Sequence, residues 1–280
     1  MLSKNKKAKI IAITFKKGGI GKSATSINLA TVLAYKGYKV LLIDGDKNST
    51  SSKALGVHDE SKVGLFDIIV GNSTFDDAIQ RVDYSPSDNC KRKYKPFSLY
   101  IIPSYDTADR NELQLTQQEN FKNLLKEPLE NSKAVNQFDY IIIDCPSESE
   151  VFIPMMYSAA DYFIFPVSPQ SIAYENMGIS FKQTSFYIDG ISPKSVLGYV
   201  FVAYENNETS GPLSELFFNS FENQFNTIIP RYKDYQLSVL AQLPIFVFYK
   251  ETRRAEDLYL SFMRFADEVI ERLNKEDIDE

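Results

Sequence analysis

Residues 9–15, KIIAITF, form a β-branched apolar run that passes directly into KKGGIGKS at 16–23, after which the apolar spacing changes to that of a helix. Residues 22–36 put Ile27, Ala30 and Ala34 on one stripe beside Leu29 and Leu33, and Gly37 stands where such a helix should stop. Strand, glycine-rich loop and helix, in that order, are the context a phosphate-binding loop requires. The glycines let backbone N–H groups approach phosphate oxygens, and the helix N-terminus favours the anion. In such a loop Lys22 reaches the β and γ phosphates, and the Ser23 hydroxyl ligates Mg²⁺.

Similar apolar runs recur at 39–44, 98–104, 140–144, 162–167 and 196–204, and near-continuous apolar strands are what a parallel sheet covered on both faces demands. Helices are expected between them, at about 109–130, 149–158, 172–187, 212–226 and 253–273. The alternation predicts an α/β fold, a doubly wound and mostly parallel sheet flanked by helices, with ligand chemistry at the carboxyl ends of the strands. One domain over residues 1–280 is expected, because no repeat and no long linker interrupts the pattern. Residues 83–96 mix turn formers with basic side chains and read as an exposed loop.

Composition narrows the function classes. The 280 residues carry 31 basic and 37 acidic side chains, a net charge of −6 that argues against a protein coating nucleic acid over its whole surface. Only two cysteines occur, Cys90 and Cys145, so a disulfide framework is not expected and a cytoplasmic location is the default. Residues 151–167, the most lipid-like stretch, are broken by Pro154, Asp161 and Pro166 and fall short of the roughly 20 residues a membrane span needs. His58, the only histidine, sits in a polar turn and reads as a surface residue.

Two further strands end in acid. The run at 39–44 closes on Asp44-Gly45-Asp46, and the run at 140–144 closes on Asp144 before Cys145-Pro146. Carboxylates at neighbouring strand ends suit a metal-assisted phosphoryl transfer. With Lys17 before Gly18-Gly19, the loop KGGIGKS resembles the deviant phosphate loop of the ParA/MinD family of P-loop ATPases. VGLFDIIVGN (63–72), FDYIIIDCPSE (138–148), FPVSPQSIAYENMG (165–178) and IIPRYKDYQLSVLAQLPIFVF (228–248) follow the ParA order as well.

The resemblance implies ATP and Mg²⁺ as cofactors, with Lys17, Gly18, Gly19, Ile20, Gly21, Lys22, Ser23 and Ala24 around the phosphates. Pro230 and Arg231 would flank the adenine. It implies that Lys17 reaches across an ATP-sandwich homodimer to the partner's nucleotide and that Asp46 positions the attacking water. Asp44 would support the metal shell, and Asp144 would hold Mg²⁺ through water. Lys47-Asn48 replaces the family's usual Pro-Gln.

For a short ParA-type protein the resemblance further implies ATP-dependent, non-specific DNA binding, association with the nucleoid, and a ParB-like centromere-binding partner that stimulates hydrolysis in plasmid or chromosome partition. Arg231 and Lys233 are the candidate DNA contacts, with Lys250, Arg253 and Arg254 as additions. Dimerisation would gather these cations onto one face of a net-acidic chain. Residues 205–208, Glu-Asn-Asn-Glu, lack the second basic position typical of ParA proteins. An iron-protein branch is excluded by the cysteine contexts. A membrane-binding MinD branch would need a basic amphipathic C-terminal helix, and ERLNKEDIDE is acidic instead, so that branch is not expected. Two other readings stay open: an ATPase that positions a protein cargo, and a nucleotide-dependent regulatory protein with negligible turnover.

Overall fold

In the computed structural model, the described residues are 7–57, 59, 63–86, 94–105, 115–133, 135–168, 196–205, 210–220, 223–231, 235–248 and 253–279. The expected helix at 172–187, together with His58, Cys90, Lys233 and Lys250, lies outside them.

Among the described residues eight strands form one sheet: β1 (Lys9–Ile13), β2 (Val40–Asp44), β3 (Gln80–Tyr84), β4 (Phe97–Ile102), β5 (Tyr140–Asp144), β6 (Tyr162–Val167), β7 (Val196–Tyr204) and β8 (Gln224–Pro230). Their order is β3-β4-β2-β5-β1-β6-β7-β8, and among the described residues only the β3–β4 pair is antiparallel. The central strands are buried on both faces, as their unbroken apolar runs require. Ile10, Ala12, Ile141 and Ile143 belong to one core, and Ile11, Ile13, Leu42 and Ile142 to the other.

Helix α1 (Lys22–Tyr35) lies on the second face and is buried nearly all round, because the C-terminal helix α9 (Arg253–Asp279) packs over it. Its serines and threonines are accommodated by bonding back one turn: Thr25, Ser26 and Thr31 donate to the carbonyls of Gly21, Lys22 and Ile27. Gly37 ends the helix with φ 98°, its N–H donating to the Ala34 carbonyl.

Between β2 and β3 the described residues form the short helices α2 (Thr50–Ala54), α3 (Leu65–Ile69) and α4 (Phe75–Ala78). The helix expected at 109–130 is broken within its described part: residues 115–116 are helical, and a 3₁₀ turn at Phe121–Asn123 and then α5 (Lys126–Asn131) follow. Pro128 explains the break: it is tolerated in the first turn of a new helix but cannot donate within a continuous one. α6 (Phe152–Ala159) matches expectation, whereas α7 (Ser210–Ser220) stops short of 226 because residues from 224 enter β8. Residues 83–84 belong to β3, and Tyr84 and Tyr94 are buried rather than looped into solvent. After β8 comes α8 (Tyr235–Leu240). Among the described residues no helix is long and apolar enough to cross a membrane.

Candidate functional site

Parallel register fixes the site. β1, β5 and β2 are neighbours, and pairing sets Ile13 beside Asp144 and Asp144 beside Asp44. The loop after β1 therefore emerges next to two carboxylates from adjacent strand ends, at the side of the sheet where α/β ligands bind. Ile13, Asp44 and Asp144, far apart in sequence, meet here because strand β5 lies between β1 and β2.

The loop itself is shaped by glycine. Gly19 and Gly21 have φ of 72° and 94°, values a side chain resists, and Gly21 caps α1 in the left-handed region. Gly18 and Gly19 are exposed, Ile20 is buried as an anchor, and Ser23 and Ala24 are half-buried. Lys22 is buried, and its ammonium donates to the Lys17 carbonyl at 2.8 Å and to Ser147 Oγ at 3.0 Å. Burial lowers its pKa, opposed by the negative charge of Asp144 and other nearby acidic groups. Lys17 is half-buried, with its N–H on the Phe15 carbonyl.

Asp44 and Asp144 are fully buried side by side. Burial first, and for Asp44 then the charge of Asp144, pushes both carboxyls up. Serines satisfy them. Ser26 donates to Asp144 Oδ1 at 3.1 Å and Ser51 to its Oδ2 at 2.6 Å, and Ser23 bonds the same carboxylate. Ser52 donates its N–H and its hydroxyl to Asp44 Oδ2 at 2.7 and 2.6 Å. Asp46 is half-buried, and Asn48 donates both its N–H and its Nδ2 to Asp46 Oδ1 at 3.0 Å. Gly45 between the two acids packs so closely on Met156 that a Cβ would collide with it.

Asp46, Asn48, Ser147, Glu148 and Phe152 line a cleft of about 170 Å³ beside these groups. The arrangement fits a magnesium nucleotide. Open glycine backbone and a buried lysine face the helix start, and a hydroxyl, Ser23, sits on a carboxylate pair whose mutual repulsion a divalent cation would relieve. Ser26 of α1, Ser51 and Ser52 of α2, and Ser147 escape sequence reading, since nothing in their spacing tells which charged group each will meet.

Not every candidate joins this centre. Pro230 ends β8 opposite Tyr204, and Arg231 beyond it is exposed and ion-paired to Glu205 at 2.9 Å. Arg253 and Arg254 begin α9.

The chain matches the family model described as an AAA domain over residues 8–188. It is 26% identical over 227 residues to the chromosome partitioning protein ParA of Caulobacter vibrioides, covering 80% of each chain. With the sporulation initiation inhibitor protein Soj of Bacillus subtilis it shares 32% identity over 170 residues, 60% of this chain and 62% of that one. A Borrelia burgdorferi protein assigned to plasmid partition, solved bound to AMPPNP, superposes with a TM-score of 0.70 at 24% identity, covering 97% of this chain and 100% of that one. With the family model spanning more than half its length, and with its glycine-shaped loop beside the paired aspartates, the chain belongs to the ParA/MinD family of P-loop ATPases.

Proposed function

We propose that the chain, as one ATPase domain over residues 1–280, hydrolyses ATP to ADP and phosphate and dimerises in the ATP state to drive plasmid or chromosome partition. In that state it binds duplex DNA without sequence preference, in the cytoplasm and on the nucleoid, until a ParB-like centromere-binding partner stimulates hydrolysis. The carrying observation is the shared register of Ile13, Asp144 and Asp44, which sets the phosphate loop against two buried carboxylates.

In this reading the backbone of residues 17–24 cradles the phosphates and Lys22 neutralises them, while Pro230 and Arg231 flank the base. Ser23, Asp44 and Asp144 are the residues that would hold Mg²⁺, which when bound supplies charge neutralisation at the phosphates. Asp46 orients the attacking water, and Lys17 extends to the nucleotide of the second copy. The partition names of the relatives and the AMPPNP in the Borrelia protein support this reading.

A second reading, positioning of a protein cargo, draws support from the Arg231–Glu205 pair, which neutralises the leading DNA candidate. Sedimentation with ATP and Mg²⁺ tests the common part: wild type should form a dimer and Lys17→Ala should remain monomeric. Equal behaviour of the two, or no dimer at all, would contradict it.

A further inference from the structure

Helix α2 begins four residues after Asp46, and its second and third residues, Ser51 and Ser52, are fully buried against different carboxylates. Ser52 serves two structural bonds at once, since its hydroxyl donates to Asp44 and accepts the Ser104 N–H at 3.1 Å. Ser51 has a narrower assignment. Its hydroxyl donates to Asp144 Oδ2 at 2.6 Å, while Ser26 from α1 takes Oδ1 on the other side. Asp144 is thereby held between two helices, one leading from the phosphate loop and one leading from the Asp46 loop.

We propose that Ser51 is a positioning residue that orients the Asp144 carboxylate for Mg²⁺ and ties the Asp46 loop to the metal side of the site. This rests on the reading of Asp144 as a magnesium-holding residue. Carboxylates at metal sites are themselves hydrogen-bonded, and losing such a partner typically lowers metal affinity about 10–100-fold. Ser51 makes a shorter bond to Asp144 than Ser26 does and is supplied by α2, outside the nucleotide loop and its helix.

The test is Mg²⁺ titration of full-length protein carrying a fluorescent ADP analogue, with analogue affinity in EDTA measured in parallel. Ser51→Ala should raise the Mg²⁺ concentration for half-saturation about tenfold, leave affinity in EDTA within about twofold, and have no further effect in an Asp144→Asn background. Ser51→Cys, which keeps the shape with a weak donor, should fall between and covers the case in which the alanine variant does not fold. Unchanged Mg²⁺ dependence in Ser51→Ala or Ser51→Cys, with Asp144→Asn impaired, would overturn the proposal alone. So would an equal Ser51→Ala effect in the Asp144→Asn background. Wild-type Mg²⁺ dependence in Asp144→Asn would instead remove the reading on which the proposal stands.

Discussion

Asn48 grips one oxygen of Asp46 twice, with its backbone N–H and its side-chain Nδ2 both 3.0 Å from Oδ1. The residue that stands where the family has Gln thus fixes the carboxylate that is proposed above to position the attacking water. Asn48→Ala removes one of the two bonds and frees a rotamer. It should lower kcat by about 3–10-fold with little change in KM, because the interaction orients a reacting group rather than binding substrate. Steady-state ATPase assays beside Asp46→Ala, which should abolish turnover, would show it; equal kcat for wild type and Asn48→Ala would contradict the role.

Ser49 follows at φ 55°, buried, with a hydroxyl that finds no hydrogen-bond partner among the described residues. A left-handed conformation costs a non-glycine residue about 1–2 kcal/mol, and an orphaned buried hydroxyl adds to that. Ser49→Gly should therefore stabilise the protein by up to about 1 kcal/mol after glycine's greater unfolded-state freedom is deducted. Urea denaturation would register the change as a higher midpoint at unchanged slope.

The buried pair Asp44 and Asp144 gives a pH dependence of definite sign. Both carboxyls titrate above their ordinary range, so the folded protein holds protons that the unfolded chain releases. The resulting penalty is absent below the unfolded pKa and grows as pH rises toward neutrality, where it levels off. In EDTA, the melting temperature of wild type relative to Asp44→Asn should fall between pH 4 and pH 7, as the raised carboxyls ionise. A flat difference across that window would show that the pair is not strained.

Arg272 joins α9 to the far edge of the sheet. Its guanidinium donates to the carbonyls of Leu197, Asn223 and Gln224 at 2.6–2.7 Å and lies over the Phe225 ring, 4.0 Å from its centroid. Arg272→Ala leaves three carbonyls without that donor and should destabilise the fold by about 2–3 kcal/mol. Urea unfolding would measure it, and a loss below about 0.5 kcal/mol would contradict the role.

These residues also show what the sequence could and could not tell. The central strands and the phosphate loop were legible because burial on both faces leaves unbroken apolar runs, and because glycines mark the turns at 19, 21 and 37. β3 and β8 were not, since QRVDY and QFNTIIP lie at the sheet's edges with half-buried, polar-interrupted patterns. Phe225 looked like part of a helix and instead packs from β8 against Phe265. Asp44, Asp46 and Asp144 were identifiable by their strand-end positions, but the partners Ser26, Ser51, Ser52 and Asn48 depend on which loops the register brings together.

The most direct test of the partition reading is a titration of duplex DNA with full-length protein in ATP–Mg²⁺, in ADP–Mg²⁺ and without nucleotide, at low and high salt. Binding should appear only with ATP, weaken steeply with salt because phosphate contacts release counterions, and decline in Arg231→Ala. Binding that ignores the nucleotide, or none with ATP while the protein still dimerises, would contradict a DNA-based partition role.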